Sequence, residues 1–224
     1  VANPLRVAGA DIWKGRWVIV VLENGRFELA LVAMSLQEVF QYELEDAAII
    51  GVDVPIGLPR LGQRRLADQL ARDYVGPRWP SVFPAPPEAM VRAASYSEAM
   101  ALSPREGPKI SAQAFALRKA ILEVQTLALS DGRIHEVHPE VSFVCANNDQ
   151  HLKWPKTSWN GVFQRKQILA DQGLRIPEDL GVAGGAGTAD VLDAAIVAWT
   201  ADRIARRRAA AFPPGSERIG AIWR

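Results

Sequence analysis

Cysteine is nearly absent from this sequence: Cys145 stands alone among 224 residues. A single thiol excludes a disulfide framework and any zinc or iron–sulfur site built on several cysteines, and it suits a reducing compartment, the cytoplasm. No apolar run approaches the roughly 20 residues of a membrane helix, and no signal-peptide pattern is present at the start, so no membrane partner is expected. An excess of one charge is also missing, since 26 basic residues face 25 acidic ones for a net charge of +1. Non-specific nucleic-acid binding depends on Lys and Arg displacing counter-ions from phosphates. Any such contact here must therefore run through a local basic patch.

What remains is an ordinary globular composition, 49% hydrophobic and 23% charged, which excludes disorder as the general state. The length suffices for one generous core without staples. With no repeat, low-complexity linker or composition break, the expectation is a single α/β domain over residues 1–224. The sequence leaves the oligomeric state open, a homodimer included.

Strand signals open the chain. Residues 5–11, 16–22 and 26–32 are apolar or β-branched, and Asn24-Gly25 is a hairpin signal because both residues tolerate positive φ. An antiparallel meander is expected, followed by a short helix that Ser35 and Glu38 cap as a box. Residues 47–54 form a continuous apolar run broken only by Asp53, which predicts a central strand covered on both faces and stopped by the prolines beyond it. Helices are expected at 64–74, 88–101 and 111–129, the last capped by Ser111, around a proline-rich stretch at 75–87. This gives a helical, proline-rich insertion at about 60–130. A strand at 133–138, helices at 161–172 and 189–208, and an edge strand within 217–223 complete the reading.

The chemistry-bearing residues are carboxylates at the ends of separate elements. Asp11 closes the first strand and Asp53 the central one. Asp190 and Asp193, three apart, share one face of the last helix. Asp11 alone is an ordinary loop acid, and Asp190 alone suits a helix N-terminal dipole. Asp53 in an apolar strand and Asp193 on an apolar helix face are harder to explain in that way. Acids buried together repel unless something positive joins them. Mg²⁺ or Mn²⁺ would do so, and carboxylates converging from different elements suit two-metal phosphodiester hydrolysis.

The chain resembles the domain-of-unknown-function 429 (DUF429) family, described as predicted nucleases of the RNase H-like fold. The resemblance runs through Gly9-Ala10-Asp11, Gly15-Arg16-Trp17-Val18 and Val52-Asp53-Val54-Pro55-Ile56-Gly57-Leu58-Pro59. It continues through Arg72, Ser81-Val82-Phe83-Pro84-Ala85-Pro86, Ser111-Ala112-Gln113, Glu136-Val137-His138-Pro139-Glu140-Val141-Ser142-Phe143 and Asp190-Val191-Leu192-Asp193-Ala194. It implies a five-stranded mixed sheet in the order 3-2-1-4-5 with helices on both faces, and it implies that Asp11, Asp53 and the Asp190/Asp193 pair converge. As a function it implies a hydrolase acting on nucleic acid. In that scheme Asp11, Asp53 and Asp193 are the metal ligands, Asp190 is a further ligand or positioning base, and Glu136 is an additional catalytic carboxylate.

Other residues have a structural and a functional reading side by side. His138 either orients water or phosphate, or bonds a backbone carbonyl while Pro139 and Glu140 open a helix. Arg72 and Arg78 flank the proline-rich loop and Lys109 belongs to a second basic group with Arg118 and Lys119; all three are candidate phosphate contacts, or are solvated. The glycines at 181–187 lack the Gly-Lys-Ser/Thr ending of a phosphate loop and a preceding strand, so no nucleotide site is expected there. Two competing classes stay open: a phosphotransferase or ATP-hydrolysing enzyme, and a catalytically silent nucleic-acid- or protein-binding module.

Overall fold

A computed structural model describes residues 3–103 and 109–224. Strands β1 (Arg6–Trp13), β2 (Arg16–Glu23) and β3 (Arg26–Ala33) form the expected antiparallel meander. Both turns are two residues long, and Lys14, Gly15, Asn24 and Gly25 all have positive φ. This is the twist that joins adjacent antiparallel strands. Helix α1 (Leu36–Tyr42) starts at Ser35, whose hydroxyl accepts from the Glu38 N–H, and leads to β4 (Ile49–Val52).

The segment between β4 and the next strand is helical and proline-rich. It carries α2 (Leu66–Val75), α3 (Glu88–Val91), α4 (Tyr96–Ala101), α5 (Ala112–Ala116) and α6 (Arg118–Ser130). Then come β5 (Ile134–Glu136), α7 (Pro139–Ala146), α8 (Trp159–Asp171) and α9 (Thr188–Ala205), followed by the short pair β6 (Ala211–Phe212) and β7 (Ile222–Trp223).

The five-stranded sheet has the order β3-β2-β1-β4-β5, as expected, with β1–β4 and β4–β5 parallel. Alternation along β2 divides the core. Val18, Val20 and Leu22 face a layer built on α2, α7, α8 and α9, whereas Trp17, Ile19 and Val21 face α1 and the insertion helices α3 to α6. Burying each such aliphatic side chain contributes about 1.5–3 kcal/mol. Among the described residues, no helix is long and apolar enough to cross a membrane.

Several expected elements are shorter or broken. The helix expected at 88–101 is two helices, because Ser95 ends extended and caps α4 by accepting from the Glu98 N–H. The one expected at 111–129 starts at Ser111 but breaks at Leu117, between α5 and α6. The strand expected at 133–138 stops at Glu136, since His138 is the N-cap of α7 and Pro139 takes its first position, where proline's missing N–H costs nothing. The edge strand expected within 217–223 is reduced to Ile222–Trp223 and pairs with β6 outside the main sheet. Residues 104–108 of the expected insertion lie outside the described residues.

The position of α9 is set by two missing side chains. A methyl group on Gly9 would overlap Ala194 O and Ala198 N of the helix, and one on Gly51 would come within 2.7 Å of Val197 Cγ1. Small residues at Ala194, Ala195 and Ala198, all fully buried, let the helix backbone come down onto β1 and β4. Its first two turns, carrying Asp190 and Asp193, therefore lie at the ends of those strands.

Candidate functional site

Gly9 pairs with Gly51 across the parallel strands β1 and β4. Two residues on, and so on the same face of the sheet, stand Asp11 and Asp53. The ladder reaches that far, because the Asp53 N–H bonds Ala10 O at 3.0 Å. Asp11 lies inside β1, which runs on to Trp13, so it does not close the strand. Asp193 comes from α9 above them. Asp11, Asp53, Asp190 and Asp193 all line one cavity of about 320 Å³.

These acids are electrostatically burdened. Burial raises the Asp11 carboxyl well above its ordinary value, and the charges of Asp53 and Asp193 raise it further. Burial pushes Asp53 up to about 7 and Asp193 to about 6, against the pull of Lys156 in both cases. Asp190 is raised by burial and eased by Lys156. Its carboxylate lies where a side chain on Gly187 would have to go, over the N-terminus of α9.

Lys156 was not marked by any sequence pattern. It lies in the loop between α7 and α8, 37 residues from Asp193, and its Nζ donates to Asp193 Oδ2 at 2.5 Å. Burial works against its ammonium, but Asp193, Asp11 and Asp53 together hold it charged. The sequence argument required something positive among the acids, and in the fold this lysine stands among them. Only its remoteness in the chain hid it.

Glu136, His138 and Glu140 also line the cavity. Glu136 is clamped by Arg65 through two contacts of 2.7 Å, and its Oε2 also accepts from the Ile56 N–H at 2.6 Å. Arg65 reaches Asp68 as well, and Asp68 Oδ2 accepts from the Ala85 N–H. Glu140 is held by the fully buried Arg165 at 2.6 Å and by Arg78 at 3.2 Å. These carboxylates serve guanidinium partners and tie the Ser81–Pro86 wall to β5 and α7. His138 Nε2 faces Ser81 O at 3.3 Å, and burial lowers its affinity for a proton, which leaves a neutral ring that donates to that carbonyl. The structural reading of His138 therefore describes its contact.

Of the three candidate phosphate contacts, Arg72 donates to Val82 O and lies over the Trp79 ring, and Arg78 is bound to Glu140. Lys109 is exposed two residues before Ser111, which lines the cavity. The structure thus brings Asp11, Asp53, Asp190 and Asp193 to one place. Glu136 reaches the same cavity already engaged.

Oxygen donors of this kind suit a hard divalent cation, Mg²⁺ or Mn²⁺. Two observations test that fit. Among the described residues, Asp193 Oδ1 is buried with no hydrogen-bond partner, the kind of orphan a cation would satisfy. On the other side, no three His, Cys, Asp or Glu side chains among the described residues are gathered closely enough to hold a metal as they stand. The donor chemistry fits, and a bound ion would have to draw the acids together.

The chain matches the family described as protein of unknown function (DUF429) over residues 9–218, and it belongs to that family. No curated protein and no solved structure matches it.

Proposed function

We propose that this DUF429 chain is a divalent-metal-dependent nuclease that hydrolyses phosphodiester bonds of nucleic acid, working in the cytoplasm. The observation that carries this reading is the meeting of Asp11, Asp53 and Asp193, from three separate elements, in one cavity where each is burdened by burial. Those three are assigned as ligands of Mg²⁺ or Mn²⁺, with Asp190 beside them. A bound ion of this kind supplies an activated water and charge neutralisation at the phosphoryl oxygens. In this reading the protein's own part is positional. The strands β1 and β4 fix Asp11 and Asp53, α9 fixes Asp193, and the Asp190 carboxylate accepts the proton lost by the attacking water. The Ser81–Pro86 wall, pinned through Asp68 and Arg72, limits water on one side of the ester. Glu136 is left out of the ligand set because both of its oxygens are held by Arg65.

The test is cleavage of single-stranded, duplex and branched DNA and RNA with Mg²⁺ or Mn²⁺, by wild type, Asp11→Asn and Asp53→Asn. Loss of at least about 100-fold in rate, with circular dichroism unchanged, is expected when a ligand of the reacting centre is removed. Equal cleavage by all three proteins would reject the assignment.

A second reading has its own support. Lys156 already provides Asp193 with a positive partner, and the acids are not gathered as ligands of one ion. This fits a catalytically silent module that binds nucleic acid or protein. Binding of a nucleic acid without cleavage at any metal concentration would favour it.

A further inference from the structure

The acids that line the cavity are partnered in two different ways. Glu136 and Glu140 are held by Arg65 and Arg165, guanidinium groups that are 8% and 0% exposed. Such buried guanidinium pairs are permanent parts of the fold, because separating them strands a charge in the interior. Asp193 has a different kind of partner. Its side chain is 2% exposed, yet it receives a lysine whose side chain is 43% exposed, through one contact at Oδ2. Its other oxygen, Oδ1, has no partner among the described residues.

The loop around the lysine is held in place, while its side chain stays partly exposed. Gln164 Oε1 accepts from the N–H groups of Lys153 and Trp154 at 3.2 and 3.4 Å. Pro155 O accepts from both the N–H and the hydroxyl of Ser158, and Gly161 leaves room for that carbonyl, which a side chain there would overlap. The ammonium is thus presented to the acids from a fixed loop on a four-carbon stem, with solvent beside it.

From this contrast we infer that Lys156 is an exchangeable counter-ion: its ammonium and a divalent cation compete for Asp193, and the lysine swings outward when the metal enters. The inference rests on the metal-dependent reading above and adds a residue to it. It also accounts for the acids being near one another without closing around a common point. They are spread around an ammonium that touches only one of them, and one unit charge among four carboxylates leaves them mutually repelled. Lys156 is therefore a positioning residue that sets how readily the metal binds, and it acts through Asp193.

Mn²⁺ binding to chelator-treated protein, followed by calorimetry and by the loss of the free-ion paramagnetic resonance signal, tests this in wild type, Lys156→Gln and Lys156→Arg. Removing a unit charge a few ångström from the ion should tighten Mn²⁺ binding about tenfold or more in Lys156→Gln, while Lys156→Arg binds no more tightly than wild type. A second readout uses wild type alone. Acylation of the Lys156 amine, followed by mass spectrometry, should speed up as Mn²⁺ is added, with half-saturation at the ion's own affinity. Unchanged or weaker Mn²⁺ binding in Lys156→Gln, or labelling of Lys156 that Mn²⁺ leaves unchanged or slows, overturns the exchange while the metal site stands. If none of the proteins binds Mn²⁺, the metal-dependent reading falls too. Binding by Lys156→Gln but not by wild type supports the exchange in its strongest form.

Discussion

Gly9 of β1 and Gly51 of β4 face each other in register beneath α9, and each stands two residues before an aspartate of the cavity floor. The repeated Gly-x-Asp spacing does two jobs at once. The glycines admit the helix backbone, and the acids meet the helix's Asp193 just beyond the point of closest approach.

Substituting Gly9 by Ala should force α9 away from the sheet. Overpacking of this kind costs about 1–3 kcal/mol or somewhat more, measured as a lower urea midpoint. Gly132→Ala is the matched control, because no atom lies within 4 Å of an added methyl there and its φ is not in the left-handed range. The control should leave the unfolding free energy within about 0.5 kcal/mol of wild type.

The pH dependence of stability follows from Asp53. Its carboxyl titrates near 7 in the folded chain, against 3.8 ordinarily. Between those values the folded chain holds a proton that the unfolded chain has released. Stability therefore falls as pH rises across that window, and the whole penalty is present above about 7. Chelator-treated protein is expected to melt at a higher temperature at pH 5 than at pH 8. Asp53→Asn should narrow that difference and raise the melting point at pH 8; an unaltered difference would remove Asp53 as its source.

Burial raises the Glu136 carboxyl as it does that of Asp53, but Arg65 and the Ile56 N–H hold it in place, so its replacement should cost stability. Glu136→Gln leaves the Arg65 guanidinium buried beside a neutral amide. Asp68 still pairs with that guanidinium, so the loss is that of a charged hydrogen-bond partner, about 1–3 kcal/mol, seen in denaturant unfolding at pH 7. A destabilised Glu136→Gln beside a stabilised Asp53→Asn separates a buried acid held by a guanidinium from one that is not.

Asp68 links the clamp to the loop wall by accepting from the Ala85 N–H. In Asp68→Ala that N–H and part of Arg65 lose their partner, so the Ser81–Pro86 segment should become accessible. Limited proteolysis is expected to cut there in the variant and not in wild type. Identical fragment patterns would show that the segment is held by its other contacts.

Much of the frame was legible in the sequence. Asn24-Gly25 fixes a turn through positive φ, Ser35 and Ser111 cap helices with their own hydroxyls, and the continuous apolar run of β2 supplies side chains to both faces of the sheet. The acids were legible because charged groups in apolar segments stand out from their neighbours. The breaks at Ser95 and Leu117 were harder to read, because helical composition continues through both. The glycine pair before the aspartates was visible in the sequence, but its meaning depends on knowing that one helix crosses both strands.

By itself, then, the sequence determined the strand order's local ingredients, the last helix and the identity of Asp11, Asp53, Asp190 and Asp193, because these follow from dihedral preference, periodicity and the cost of charge among apolar residues. Only the tertiary structure decided which cation each acid receives. Lys156 and Asp193 are 37 residues apart, and Arg65 and Glu136 are 71 apart. Pairings over such separations are selected by how helices pack on the sheet, which leaves no mark in the spacing of the residues themselves.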